Sequence, residues 1–188
     1  MYKTISEVIF PKPQDIQVNM MPFLFGDINS IPINLRQYYD IISKCYLEHE
    51  KIAYLTITES VVDDETQRRG GIHVEAPKMM TWGGGSWGGS GVFMASTDGA
   101  CNVWDELVEE RDEHGACTPH GLPIRMKSNT LYQLTDRTPH EALKSTGYRQ
   151  FIRVVSNDIS VWFSQHNTRN PLGIQPDCPV TDRNKFTH

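Results

Sequence analysis

The stretch Arg149-Gln150-Phe151-Ile152-Arg153-Val154-Val155-Ser156-Asn157-Asp158-Ile159-Ser160-Val161-Trp162-Phe163 holds two runs of β-branched and aromatic residues separated by turn chemistry. Such residues suit a pleated, half-buried surface, and Ser-Asn-Asp favours reversal, so the spacing predicts two strands paired as a hairpin. Working outward, Ile52-Ala53-Tyr54-Leu55-Thr56-Ile57-Thr58, Gly91-Val92-Phe93-Met94-Ala95 and Thr130-Leu131-Tyr132-Gln133-Leu134 carry the same signal. Ile16-Gln17-Val18-Asn19-Met20 alternates apolar and polar, the mark of a half-buried strand, while Pro11, Pro13, Pro22 and Pro32 argue against helix nearby.

One substantial helix is expected over residues 35–50. Leu35, Tyr39, Ile42 and Tyr46 recur at helical spacing, Ile41 and Cys45 widen the stripe, and Asn34 can cap it. The acidic segment from Trp104 to Glu113 could form a second, short helix, and the Pro- and Asn-rich tail after about Thr168 should wrap the surface. Many short strands, few helices and no strand–helix–strand alternation indicate a mainly β sandwich or barrel. No domain boundary interrupts the pattern, so residues 1–188 are expected to form a single domain with its core over about 52–163.

The chain is 38% apolar and 22% charged, the composition of an ordinary globular protein, with a net charge of −5. No cluster of Lys or Arg offers a phosphate backbone a counterion-releasing surface, so no nucleic-acid partner is expected. No run approaches the roughly 18–20 apolar residues that span a bilayer, and no membrane partner is expected either. Cys45, Cys101, Cys117 and Cys178 form no Cys-x-x-Cys pair, and no basic, apolar leader opens the sequence. Reduced thiols in a cytoplasmic setting are the simplest expectation.

Chemistry concentrates in three places. In Gly70-Gly71-Ile72-His73-Val74-Glu75, strand alternation would put His73 and Glu75 on one face, and the glycines allow a turn or close approach. In Thr138-Pro139-His140-Glu141, the proline favours an extended entry to His140. Together His73, Glu75 and His140 would make the two-His, one-carboxylate triad that leaves positions open on an iron(II) ion. Third, Arg149 and Arg153 flank Phe151 on one face of the following strand, where a guanidinium could grip a carboxylate beside the metal.

Thr118-Pro119-His120-Gly121 repeats the Thr-Pro-His string, but Gly and Pro follow it rather than a strand with paired arginines, so His140 is preferred to His120. His166 is expected to be a solvated strand end, and Glu141 should alternate away from the site. Arg68 and Arg69 could meet an anionic substrate, although exposed turn arginines are the plainer expectation. Tyr54 and Thr56 could line the pocket if their strand turns them inward. The glycine- and tryptophan-rich segment 82–91 lacks the Lys-Ser/Thr of a phosphate loop, leaving a lid or a surface loop.

His73-x-Glu75, a distant His140 and an arginine nine residues later resemble the iron(II)/2-oxoglutarate-dependent oxygenases, over roughly residues 52–163. That resemblance implies a double-stranded β-helix, the jelly-roll core shared with cupins, with one or two flanking helices. It implies His73, Glu75 and His140 as catalytic iron(II) ligands. Arg149, with Arg153 as the second choice, would anchor the 2-oxoglutarate co-substrate. Glu75 stands where that family more often has Asp. The implied activity is a dioxygenase, an oxidoreductase that couples oxidative decarboxylation of 2-oxoglutarate to hydroxylation of a small-molecule or side-chain substrate. The alternatives are a cupin-type metalloenzyme that does not use 2-oxoglutarate and a non-catalytic jelly-roll binding module.

Overall fold

The structure, a computed structural model, describes residues 2–75, 91–112 and 114–184. Its strands are β1 (Tyr2–Glu7), β2 (Gln17–Leu24), β3 (Ile52–Glu65), β4 (Val92–Ser96), β5 (Cys101–Val103), β6 (Ile124–Arg125), β7 (Thr130–Leu134), β8 (His140–Ala142), β9 (Ser145–Val155), β10 (Trp162–Phe163) and β11 (Val180–Thr181). The protein is mainly β, with antiparallel sheets and little helix.

Six strands form the main sheet in the order β1-β7-β4-β9-β3-β2, every neighbouring pair antiparallel. The strand-forming runs noted above become β3, β4, β7 and β9, while Ile16–Met20 enters β2 four residues longer at its far end. Both faces of this sheet are covered. Phe93, Ala95, Ile152 and Val154 join Leu35, Tyr38, Ile41 and Ile42 in one buried cluster. The alternate residues Val92, Met94, Phe151 and Val155 join Cys101, Val103 and Trp162 in another. Each fully buried Leu, Ile, Val or Phe contributes about 1.5–3 kcal/mol, so this two-sided alternation fixes the register strongly. A smaller antiparallel sheet, β6-β5-β8, lies on the second face.

Three expectations are corrected. The helix over residues 35–50 is instead a 3-10 helix, Ile33–Tyr38, running into a single α-helical turn, α1 (Tyr39–Ile42). Its apolar stripe is real up to Cys45, but Tyr46 is 71% exposed and Glu50 has a φ of 63°, so burial of the stripe ends before the helix could extend. The N-cap is Pro32, without a side-chain cap, and not Asn34. No helix forms among the described residues of 104–113. The hairpin after β9 does not form either. Both edges of β9 near Val155 are occupied, by β3 and by β4, so no edge remains for a returning strand. The run around Trp162 becomes β10, pairs in parallel with β11, and donates Trp162 Nε1 to the Met20 carbonyl at 2.7 Å.

Among the described residues, no helix is long and apolar enough to cross a membrane. All four cysteines are free thiols. The lid-or-loop segment 82–91 lies outside the described residues except for Gly91, in contact with Ser156.

Candidate functional site

His73 does not lie on a continuous strand. It makes an isolated antiparallel bridge to His140 on one side and to Ala116 on the other, which extends the small sheet beyond β8. The two histidines exchange both backbone hydrogen bonds, His73 N–H to His140 O at 3.0 Å and His140 N–H to His73 O at 2.9 Å. Directly paired residues project side chains to the same face, so residues far apart in sequence become immediate neighbours. Their rings stand 4.5 Å apart, centroid to centroid.

Each imidazole is held in the same way. His73 Nδ1 donates to the Gly71 carbonyl at 2.7 Å, and His140 Nδ1 donates to the Thr138 carbonyl at 3.0 Å. A neutral imidazole that donates from Nδ1 keeps its lone pair on Nε2, the arrangement that prepares a histidine for a metal. Gly71 has a φ of +76°, a left-handed conformation that glycine adopts without strain, and this turns its carbonyl toward the ring. Burial pushes the His73 pKa down to about 3, with His140 beside it adding to the effect. Burial likewise lowers His140, despite the opposing pull of Glu75. Both rings are therefore neutral at pH 7.

Glu75 is 8% exposed. Burial, the largest single influence, would raise its pKa, but the Arg153 guanidinium 3.0 Å from Oε1, with His140, His73 and Arg68 adding to it, overcomes burial and keeps the carboxyl ionised. Its Oε1 lies 3.7 Å from His140 Nε2, too long for a hydrogen bond. Glu75 thus joins the two imidazoles, as the alternation of residues 73 and 75 suggested, although a bend replaces the regular strand.

These three side chains border a cavity of about 60 Å³ that opens to solvent. Its walls carry Arg68, Arg69, Arg149 and Arg153, against Glu75 as the acidic lining residue. The sharing of one face by Arg149, Phe151 and Arg153, read from alternation, matches their common place on this wall. The arginines differ in their engagements. Arg149 is 1% exposed, donates from Nε to Asp98 at 2.8 Å and from Nη1 to Gln67 at 3.2 Å. Arg153 is paired with Glu75. Arg68, expected from the sequence to be an exposed turn residue, is half-buried, with its guanidinium 5.2 Å from the Phe151 ring centre. Arg69 is exposed and donates to the His114 carbonyl.

The remaining candidates stand elsewhere. His120 is exposed, with its backbone N–H on Glu106. His166 Nε2 meets Asn184, and Glu141 accepts from Asn102. Tyr54 donates to Asp177, and Thr56 accepts the Met20 N–H, so neither borders the cavity. Sequence reasoning missed Asp98, whose turn position before Gly99 gave no hint that it neutralises Arg149 across the fold. It also missed the buried Glu59, which accepts from the Ile16 and Gln14 N–H groups, from Tyr38 Oη and from Gln150 Nε2.

Two imidazole Nε2 atoms and one carboxylate are the donor chemistry of a mononuclear iron, manganese or cobalt site. Among the described residues, no three His, Cys, Asp or Glu side chains already stand at metal-holding separations. Adjacent donors on an ion with bonds of about 2.1 Å lie about 3 Å apart, so the 3.7 Å between His140 Nε2 and Glu75 Oε1 would have to shorten. By donor type and tautomer the three residues fit such an ion. No protein-family model, no curated protein and no solved structure matches this chain.

Proposed function

We propose that this chain is a mononuclear, iron(II)-dependent oxygenase of the double-stranded β-helix type, using 2-oxoglutarate as co-substrate and acting on a small-molecule or side-chain substrate. The observation that carries the proposal is the reciprocal backbone pairing of His73 with His140. It sets two neutral imidazoles side by side, both with Nδ1 on a carbonyl, next to the ionised Glu75. Support for the jelly-roll reading comes from a small antiparallel sheet packed on one face of a larger one, with the cavity walled by residues of both.

His73 Nε2, His140 Nε2 and a Glu75 oxygen would hold the metal. When bound, the metal would supply the redox chemistry that couples 2-oxo-acid decarboxylation to substrate oxidation. The chain's own residues have three tasks. The Gly71 and Thr138 carbonyls keep the rings in one tautomer and orientation. The arginine-rich wall attracts an anionic co-substrate into a protein whose net charge is −5. Met94 and Phe151 provide apolar wall that excludes water around the reacting groups.

Anaerobic titration of the metal-free protein with iron(II), followed by assay of succinate formation from 2-oxoglutarate and oxygen, tests the proposal. One equivalent of metal should bind, and succinate should form in a metal-dependent manner. Wild-type protein that takes up no metal would end the enzyme reading. The Arg153–Glu75 pair favours a second reading, since it neutralises the carboxylate that a metal would need. On that reading the cavity is a metal-independent binding pocket for small anions, and ligand binding without metal uptake is its signature.

A further inference from the structure

Four arginines reach the cavity, and two of them are ion-paired inside the fold. Arg149 is fully enclosed and neutralised by Asp98. Arg153 is neutralised by Glu75. Arg69 sits at the exposed rim on a backbone carbonyl. Arg68 differs from these. It lies on the connection between β3 and His73, and its guanidinium rests on the cross-strand pair Thr58 and Phe151, with Nη1 3.5 Å from Thr58 Oγ1. Among the described residues it has no carboxylate within ion-pair distance. Burial, with Arg153 and Arg149 nearby, lowers its pKa to about 9, while Glu75 pulls the other way. The guanidinium nevertheless stays protonated at pH 7, so among the described residues its charge at the cavity wall is met by no direct ion pair.

We propose that Arg68, rather than Arg149, binds the carboxylate of the small organic acid that occupies this cavity. The choice of a carboxylate follows from stoichiometry. One guanidinium without an ion pair among the described residues, 5.2 Å from the Phe151 ring centre, offers a planar fork to a planar monoanionic group, whereas a phosphate dianion would call for further free donors. The inference shares the cavity with the proposed oxygenase function but does not need the metal, so the two can fail separately.

The test is calorimetric titration of the full chain with 2-oxoglutarate, succinate and inorganic phosphate, in EDTA and again with manganese(II). Each arm is run on wild type, Arg68→Gln, Arg68→Lys, Arg149→Lys and the surface control Lys144→Gln, after thermal melting confirms folding. Wild type and Lys144→Gln should bind at least one of the two carboxylates, and Arg68→Gln should weaken that binding at least about 10-fold. Arg68→Lys, which keeps charge but loses the fork, should fall between them, so the inference remains testable if Arg68→Gln does not fold. Binding that depends on manganese only through a second, additive contact would still require Arg68. The assignment is overturned if Arg68→Gln or Arg68→Lys binds like wild type, whatever Arg149→Lys does. It is also overturned if phosphate binds more tightly than either carboxylate, or if wild type binds neither carboxylate with or without manganese. Carboxylate binding without metal uptake would sink the oxygenase reading and leave Arg68 standing; metal uptake with Arg68-independent carboxylate binding would do the reverse.

Discussion

Glu59 and Glu75 are both buried carboxylates, 1% and 8% exposed, yet they are embedded in opposite ways. Glu59 is closed. Two backbone N–H groups, a tyrosine hydroxyl and a glutamine amide converge on its two oxygens, and these donors come from the N-terminal segment, the 3-10 helix and β9. Glu75 is open. It has one guanidinium partner, two neutral imidazoles beside it and a cavity in front. A carboxylate saturated by neutral donors ties elements together and has no capacity left for a ligand. A carboxylate held by a charge, next to unused nitrogen lone pairs, keeps that capacity.

That contrast can be broken at several points. The largest effect is expected at the open cluster. His140→Ala should abolish stoichiometric metal binding, a loss of at least about 10³-fold measured by anaerobic titration, since it removes a donor outright. His120→Ala should bind metal as wild type does; equal loss in both variants would mean that the wrong histidine has been assigned. Next in size is the closed cluster. Glu59→Ala strands several buried donors and should cost about 3 kcal/mol or more in urea-unfolding free energy. A loss below about 1 kcal/mol would show that the Glu59 network is not structural.

The third prediction concerns acid. Both imidazoles are neutral when folded, with pKa values below the ordinary 6.5, so below that pH the unfolded chain binds more protons than the native one. Stability of the metal-free protein should therefore fall as pH drops below about 6.5, by at most about 1.4 kcal/mol per pH unit for each histidine. Glu59 has a depressed folded pKa, so its contribution persists above the unfolded carboxylate value and disappears only at lower pH. The two clusters thus separate by pH window. A His73→Asn/His140→Asn variant should have a flatter stability profile between about pH 6.5 and 5; an unchanged slope would refute the neutral-imidazole assignment. The smallest loss of stability is expected for Glu75→Gln, which removes a charge at a cavity edge where Arg153 keeps a hydrogen-bond partner. Its urea stability should fall by about 1–3 kcal/mol, less than for Glu59→Ala because Gln still accepts from Arg153 beside an open cavity, while metal affinity falls sharply. A loss matching that of Glu59→Ala would make Glu75 a structural carboxylate like Glu59.

Much of this was legible along the chain because it depends on local periodicity. The alternation in Arg149–Val155 put Arg149, Phe151 and Arg153 on one face, and the strand runs near residues 52, 92 and 130 fell where strand propensity placed them. Local signals failed where a neighbour set the outcome. The stripe from Leu35 to Cys45 is buried as its spacing required, yet it folds mostly as a 3-10 helix. The Ser156-Asn157-Asp158 turn could not produce a hairpin because β3 and β4 already occupied the edges of β9.

By itself the sequence determined the strand-rich class, the alternation that sorts β9 into an apolar face and an arginine-bearing face, and the residue types able to hold a metal. Only the tertiary structure decided the rest: that His73 pairs with His140, that Asp98 pairs with Arg149, and that Arg68 reaches the cavity with no ion pair among the described residues. Periodicity is a property of residues a few positions apart. Charge compensation depends on groups brought together across many tens of residues, and no local pattern encodes which cation meets which carboxylate.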